Sequence, residues 1–409
     1  MTDPPATLVA RTRRVDHDLD LLALSGRDGV LLERARVGLA GRGRACEVAI
    51  AHADAALTAI EVDDEVQAPG TGAVAFGALP FQADPASPLV VPEGVWGRAE
   101  DGTRWVTTIQ PADAEPADAD ALCRVRPSSP PAPPAEVRVR PVRPAAWWCD
   151  RVAEATKAMA GAGPDGLRKV VLAREVVVEA DRPIDRSVVL ERLRRSYPGC
   201  FLFHVDGFLG ASPELLVSRS GDVVRAQPMA GTAPRGGDPA ADARLAAGLI
   251  ASTTYRHEHQ ITIDMVHDTL LPWCSYLDYE AEPSVVGVAN VQHLATLVEG
   301  RLSQPAPSIL ELVTALHPTP AVNGLPRALA QQWIQQHEGF DRGHYGGTVG
   351  WVDGHGNGTW AVSIRCAEIH GCEARLYAGN GIVAGSDPAT ELAETQVKLQ
   401  AMLSALTRV

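Results

Sequence analysis

The chain has 409 residues, 45% hydrophobic and 21% charged, with a formal net charge of −13; that length suits one large domain or two to three average ones. The acidic balance leaves no basic surplus for phosphates and so excludes a nucleic-acid binder, while a local positive pocket for a small anion stays open. Seven cysteines without a CxxC pair, no apolar run near the roughly 18 residues of a membrane span, and an acidic, non-apolar start argue against a disulfide scaffold, a zinc ribbon, a membrane protein and a secreted one, and point to a reducing cytoplasm.

Along the chain, residues 1–20 are polar and are expected to fray. The stretch 29–33 reads as a short strand and 51–60 as a helix. The apolar run 73–81 carries a central Gly77, which suits a bent buried strand better than a helix. Residues 105–109 form another strand candidate. Composition then shifts: 111–120 is rich in Ala, Asp, Glu and Pro, and 127–144 is dense in proline. This divides the chain into an N-terminal part (1–110), a surface connection (111–146) partly in polyproline II, and a C-terminal region (147–409). The connection could separate two domains or join two parts of one.

Beyond it, 147–162 has a helical pattern, and 169–178 is β-branched and reads as a strand. A helix over 188–197 ends at Pro198-Gly199. Four short strands follow at 201–205, 208–210, 215–218 and 223–227, with Gly221-Asp222 as a hairpin turn between the last two. Residues 242–271 read as one or two long helices. Strands are expected at 345–352, 360–369 and 375–378, with 353–358 as a hairpin loop. The three glycines and Asp-Pro of 379–388 read as a tight loop feeding a final helix. Hairpin signals outnumber regular βαβ alternation, so the fold class is α+β with antiparallel sheets.

Several residues could carry chemistry. On the last helix Glu391, Glu394 and Lys398 share one face (i, i+3, i+7), while Leu392, Leu399 and Leu403 face the core. Two carboxylates and an ammonium there could hold a divalent metal and an anion, or form a solvated face with an i, i+4 pair. Lys169 at a strand start could act as a general base or lie on the surface. Glu214 follows Ser212-Pro213, and proline fixes the strand entry. In semi-apolar surroundings its carboxyl would suit a general acid; the alternative is a strand-end pair with an arginine. In Arg256-His-Glu-His-Gln260 the histidines are i, i+2 and point apart on a helix. Glu258 is therefore the better ligand, for Mg2+ and not Zn2+, and His257 and His259 are structural. The small-residue turn 227–237, with Gly231 and Thr232, could present amides to a carboxylate. Arg365 lies in an apolar strand and needs a partner, either a ligand carboxylate or a protein one.

The stretches KVVLAR, GASPELL, PMAGTAPRG, RHEH, VQHLAT, HPTPAVNGLP, GFDRGHYGGTVGW, SIRCAEI, AGNGIVAGSDP and ELAETQVKL occur in order. Together they resemble the chorismate-utilising enzymes, and within them the isochorismate synthases. The resemblance covers 147–409; over 20–110 it is thinner, resting on 77–81. It implies one large α+β domain of two packed antiparallel β-sheets with helices outside. It also implies isomerisation of chorismate to isochorismate, by attack of water at C2 and loss of the C4 hydroxyl.

By this resemblance Lys169 matches the base that activates water, and Glu214 the acid that protonates the leaving hydroxyl. Glu258 and Glu394 match the Mg2+ ligands, with Glu391 beside them acting through water. Gly231 and Thr232 match contacts to the ring carboxylate. Tyr345, Arg365, Gly379 and Lys398 match the group that holds the enolpyruvyl carboxylate, and Ala295, in HLAT, lies near the ring. Asn380 departs from the pattern, since the family commonly has a small residue between the two glycines; it would narrow the loop or add a hydrogen bond. No glutaminase subunit is expected, and the chain is expected to work as a cytoplasmic monomer. The product would feed siderophore, salicylate or menaquinone biosynthesis. The competing activity is that of a salicylate synthase, which goes on to eliminate pyruvate; amination is disfavoured by Lys169, and a non-catalytic module by the intact set of charged residues.

Overall fold

The computed structural model describes residues 7–124, 132–163, 165–288 and 291–407. Its architecture is α+β, built on two large, mainly antiparallel sheets packed face to face. One sheet runs from the edge strand Val137–Pro141 through Lys169–Ala180, Glu373–Ile382, Cys366–His370, Phe208–Ser212, Phe201–Val205, Val30–Arg34, Val37–Arg42, Gly94–Arg98, Arg104–Pro111 and Leu8–Arg14 to Glu61–Asp64. The other runs from Cys274–Tyr279 through Val298–Leu302, Val223–Gln227, Leu215–Ser220, Gly358–Val362, Thr348–Asp353, Val74–Leu79 and Pro88–Val91 to Cys46–Ala49. A third, small sheet joins Met229–Pro234, Val291–Ala295 and Ser284–Val288. Both large sheets mix strands from before and after the proline-rich connection: Val30–Arg34 pairs with Phe201–Val205, and Val74–Leu79 with Thr348–Asp353.

Apolar side chains on facing strands explain the packing. Leu32, Leu39, Trp105, Phe203 and Phe208 of the first sheet meet Val74, Phe76, Val349 and Trp351 of the second in one buried cluster. The outer face of the first sheet is covered by the helices Arg186–Ser196 and Pro388–Thr407, through Leu190, Leu193, Leu399 and Met402. Thr253–Leu270 and Ile309–Leu316 cover the outer face of the second. The amphipathic pattern of Leu399 thus sets which face of the last helix is buried and leaves Glu391, Glu394 and Lys398 on another.

A buried ion pair fixes the strand that begins at Lys169. Glu338 accepts from the Ala173 amide and from Nε and Nη2 of Arg342, each at 2.6 Å. Arg342 also donates to the carbonyls of Val322 and Val171, and its guanidinium lies over the Phe81 ring. Arg342→Ala leaves a buried carboxylate without its cation and is expected to destabilise the fold by about 3–5 kcal/mol, measurable by chemical denaturation.

Five local expectations are corrected. The N-terminal segment contains the strand Leu8–Arg14, held between Arg104–Pro111 and, in a parallel pairing, Glu61–Asp64. Its arginines disguise it, although Val9, Ala10 and Thr12 are buried and Thr12 bonds Thr107 at 2.8 Å. The proline-rich connection contributes the edge strand Val137–Pro141 and a short helix, Ala119–Leu122; residues 125–131 of it lie outside the described residues. The expected single strand over 360–369 is two, Gly358–Val362 and Cys366–His370, one in each large sheet, broken where Arg365 takes φ 54°. The small-residue turn at 227–237 is a strand, Met229–Pro234, with a bulge at Gly231. The glycine loop at 379–388 is strand as far as Ile382. Its glycines serve close packing: a Cβ on Gly381 would stand 2.6 Å from Lys169 Cε, and one on Gly379 would stand 2.9 Å from Tyr345 Oη.

Candidate active site

Two corners where the chain passes from one large sheet to the other sit side by side. Glu214 lies in the first, between Phe208–Ser212 and Leu215–Ser220; Arg365 lies in the second, between Gly358–Val362 and Cys366–His370. The corners bond to each other: the Val362 amide donates to the Glu214 carbonyl at 3.1 Å, and the Ala211 amide to the Arg365 carbonyl at 3.1 Å. Pro213 sets the first corner. The left-handed φ of Arg365, unusual for a non-glycine residue, sets the second.

Both side chains are buried. Burial pushes the Glu214 carboxyl up to about 8, against the opposing pull of the Met229 amide, Lys169 and Arg365. The carboxyl is therefore protonated at neutral pH, as a general acid must be. Arg365 is 9% exposed, and among the described residues it makes no ion pair. Its Nη2 lies 3.4 Å from Nε2 of His293. His293 is neutral: burial, then Arg365 and Lys398, push its pKa down to about 3. Its Nδ1 lies 3.0 Å from the Gly231 carbonyl, which only accepts, so Nδ1 carries the proton and Nε2 is free to accept from Arg365.

Opposite these corners, two lysines each hold a glutamate. Lys169 Nζ donates to Glu258 Oε1 at 2.6 Å. Burial raises the Glu258 carboxyl, but the charge and hydrogen bond of Lys169 outweigh it and leave it below its ordinary value. Lys398 Nζ donates to Glu394 Oε1 at 2.8 Å, to the Gly379 carbonyl at 3.0 Å and to Asn380 Oδ1 at 2.7 Å. Asn380 Nδ2 then donates to Oε2 and to the backbone carbonyl of Glu391, both at 2.9 Å. Of the two roles expected for Asn380, the structure shows the added hydrogen bonds. All three glutamates act on the Tyr255 phenol, whose pKa is raised first by burial and then by Glu394, Glu258 and Glu391. They therefore share one neighbourhood, although 258 and 391 are far apart in sequence.

The remaining expected residues surround this space. Gly231, φ 70°, turns its carbonyl to His293 and lies beside Tyr255, which a Cβ there would meet at 3.4 Å. Thr232 Oγ1 lies 3.3 Å from His293 Nδ1. Ala295 is fully buried at the end of its strand. Tyr345 is buried and stacked on Tyr377 with ring centroids 5.2 Å apart, its hydroxyl against Gly379. His259, expected to be structural, bonds Thr296 Oγ1 at 2.8 Å and so ties the helix of Glu258 to the strand of Ala295.

The carboxylates of this space bear on whether it could hold a divalent cation. Glu258 and Glu394 each give one oxygen to a lysine and keep the other, with side chains 30% and 34% exposed. Mg2+ uses one or two carboxylates and completes its shell with water and ligand oxygens, so this pair fits. Glu391 does not fit as a direct ligand, since Asn380 and Ser386 hydrogen-bond its carboxyl and burial raises its pKa. Among the described residues no three His, Cys, Asp or Glu side chains enclose an ion by themselves. His293 and Tyr255 were missed as site residues; His293, two positions before Ala295 on a strand, shares its face, which is the signal that could have found it. A surface cavity of about 590 Å³ lined by Arg27, Asp28, Arg42, Arg44 and Asp206 contains none of these groups.

Comparison with known proteins gives the family. Residues 40–407 match the family model described as chorismate binding enzyme. A Mycobacterium tuberculosis protein provisionally named isochorismate synthase MenF is 41% identical over 351 residues, 82% of this chain and 87% of that one. Isochorismate synthase EntC of Escherichia coli K12 is 42% identical over 241 residues, 58% and 61% of the two chains. The solved structure of MenF, the menaquinone-specific isochorismate synthase from Escherichia coli, superimposes with a TM-score of 0.82 at 26% identity, covering 98% of this chain and 96% of that one. With a family model that covers residues 40–407, and so every candidate site residue from Lys169 to Lys398, the chain belongs to the chorismate binding enzymes.

Proposed function

We propose that this chain is an isochorismate synthase, an isomerase that converts chorismate to isochorismate with Mg2+ as cofactor. The observation that carries this reading is the buried Arg365, without a carboxylate partner among the described residues, beside a Glu214 carboxyl that is neutral at pH 7. A buried guanidinium calls for an anion and a buried neutral carboxyl can protonate a leaving hydroxyl; chorismate supplies two carboxylates and that hydroxyl. The names of the relatives described above support the same reaction.

In this reading Lys169 first gives up the proton it donates to Glu258 and then, as the neutral amine, takes a proton from the water that attacks C2. Glu214 gives its proton to the C4 hydroxyl, which leaves as water while the ring double bonds shift. Atoms balance, since one water enters and one departs, and the enolpyruvyl ether is kept. Arg365, Tyr345 and Lys398 hold the enolpyruvyl carboxylate, and the turn at Gly231 and Thr232 faces the ring carboxylate. Glu258 and Glu394 would hold Mg2+, which neutralises the ring carboxylate when bound. Turning to the cation would release Lys169 and Lys398 from these glutamates. The reaction consumes no ammonia, so the chain acts without a glutaminase subunit; a cytoplasmic monomer completes the reading. Among the described residues no helix is long and apolar enough to cross a membrane.

The test is product identification. Purified protein with chorismate and Mg2+ is expected to give isochorismate by chromatography, without stoichiometric pyruvate in a lactate-dehydrogenase-coupled assay. Excess EDTA is expected to abolish turnover. Stoichiometric pyruvate with salicylate would instead make the chain a salicylate synthase, and full turnover in EDTA would remove Mg2+ from the reading.

A further inference from the structure

Asn380 has a division of labour that the reaction alone does not require. It is 2% exposed and lies between two glycines in Glu373–Ile382, opposite Leu172. On a strand its side chain points away from the face of Gly379 and Gly381, toward the last helix. An ammonium only donates, so the atom touching Lys398 must be Oδ1, and Nδ2 must be the donor to Glu391. The amide therefore has one orientation, with both ends satisfied by groups of the site.

Counting donors shows what each end does. Lys398 has three N–H bonds, and here all three go to protein: Glu394, the Gly379 carbonyl and Asn380. If Glu394 turns to a cation, one N–H is released while Gly379 and Asn380 still fix the ammonium. Without Asn380 the lysine would be held by a single carbonyl. The other end engages Glu391 twice, through Oε2 and through its backbone carbonyl, and shares the carboxyl with the Ser386 hydroxyl.

We propose that Asn380 is a positioning residue with two effects: it holds Lys398 in register for the substrate carboxylate, and it keeps Glu391 from becoming an inner ligand of the metal. This rests on the isochorismate synthase reading above and deepens it. The first effect concerns a carboxylate remote from the reacting carbons and held equally before and during reaction, so its loss appears in KM and not in kcat. The second means that releasing Glu391 adds a carboxylate to a site that now offers two.

Four proteins test it: wild type, Asn380→Ala, Glu391→Gln and the double variant, each checked for folding by thermal melting. Mg2+ binding is measured by calorimetry without substrate, and steady-state kinetics are run alongside. Asn380→Ala is expected to raise KM for chorismate by about tenfold with kcat within about threefold, the loss of one charge-assisted hydrogen bond. It is also expected to bind Mg2+ roughly threefold to tenfold more tightly. Glu391→Gln alone is expected to bind Mg2+ within about twofold of wild type, and the double variant to lose the gain, a coupling that generic loosening would not produce. A large loss of Mg2+ affinity in Glu391→Gln would overturn the proposal, because Glu391 would then already be a ligand. So would a fall in kcat with unchanged KM in Asn380→Ala. Absence of Mg2+ binding by the wild type would instead fail the metal assignment and overturn the second effect with it, while the KM split would still decide the first.

Discussion

Lys169→Ala and Glu214→Gln are each expected to lower kcat by about 10²–10⁴-fold, the range for removing a general base or acid, with KM for chorismate changed only a few-fold. Both residues face the reacting carbons in the proposed reading, and neither is in the carboxylate clamp. Glu214 must be protonated to act, and its pKa stands at about 8. The acid form thus predominates at pH 7 and is lost as pH rises through about 8, so kcat/KM should fall on the alkaline side. Glu214→Gln should also separate role from fold. The carboxyl's folded pKa lies above its ordinary value, so its contribution to stability is present at low pH and lost as pH rises through about 8. A neutral amide escapes that loss, so the inactive variant is expected to be at least as stable as wild type at pH 9 in thermal melting. Near-normal kcat in either variant would reassign the roles.

Arg365→Ala is expected to raise KM for chorismate by roughly 30-fold to 5 × 10³-fold, since truncating one partner of a buried charge pair costs about 2–5 kcal/mol. Lysine should rescue little, because a point charge cannot reproduce a planar fork to a carboxylate. A second consequence follows from the adjoining corners. The Arg365 charge holds the Glu214 carboxyl down, so its removal lets the pKa rise. The alkaline limb of the kcat/KM profile should therefore move to higher pH in Arg365→Ala. An unshifted limb together with unchanged KM would mean that the guanidinium serves only the corner. Equilibrium binding of chorismate and rate measurements between about pH 6 and 10 read both effects.

Much of the fold was legible because local pattern and burial coincide. The β-branched run of Lys169–Ala180 is a strand, and the apolar stripe of the last helix packs on the outer face of the first sheet as its periodicity requires. Strands such as Gly94–Arg98 and Val298–Leu302 went unread, being short and, in the second case, buried only at alternate positions amid charges. The break at Arg365 was not legible either. Trp360 to Ile369 is apolar enough for one strand, and the positive φ in its middle is imposed by two sheets that must share the chain.

For the site, the chain's own chemistry determined the residue types: a strand-entry glutamate behind proline, a lysine at a strand start, and two glutamates and a lysine at helical spacing. Helical geometry alone places Glu391, Glu394 and Lys398 on one face, because side chains three, four and seven apart stack along a 3.6-residue turn. Only the tertiary structure decided who meets whom. Glu258 comes from a helix 89 residues after Lys169 and closes on it, and His293 arrives from a third sheet to stand between Gly231 and Arg365. Whether Asn380 narrows the loop or bonds its neighbours was likewise undetermined, because an amide's partners depend on what packs against its strand. Contacts this distant in sequence are set by sheet order and the burial of whole faces, and the same burial raises the pKa of the Glu214 carboxyl and encloses Arg365 without an ion-pair partner among the described residues.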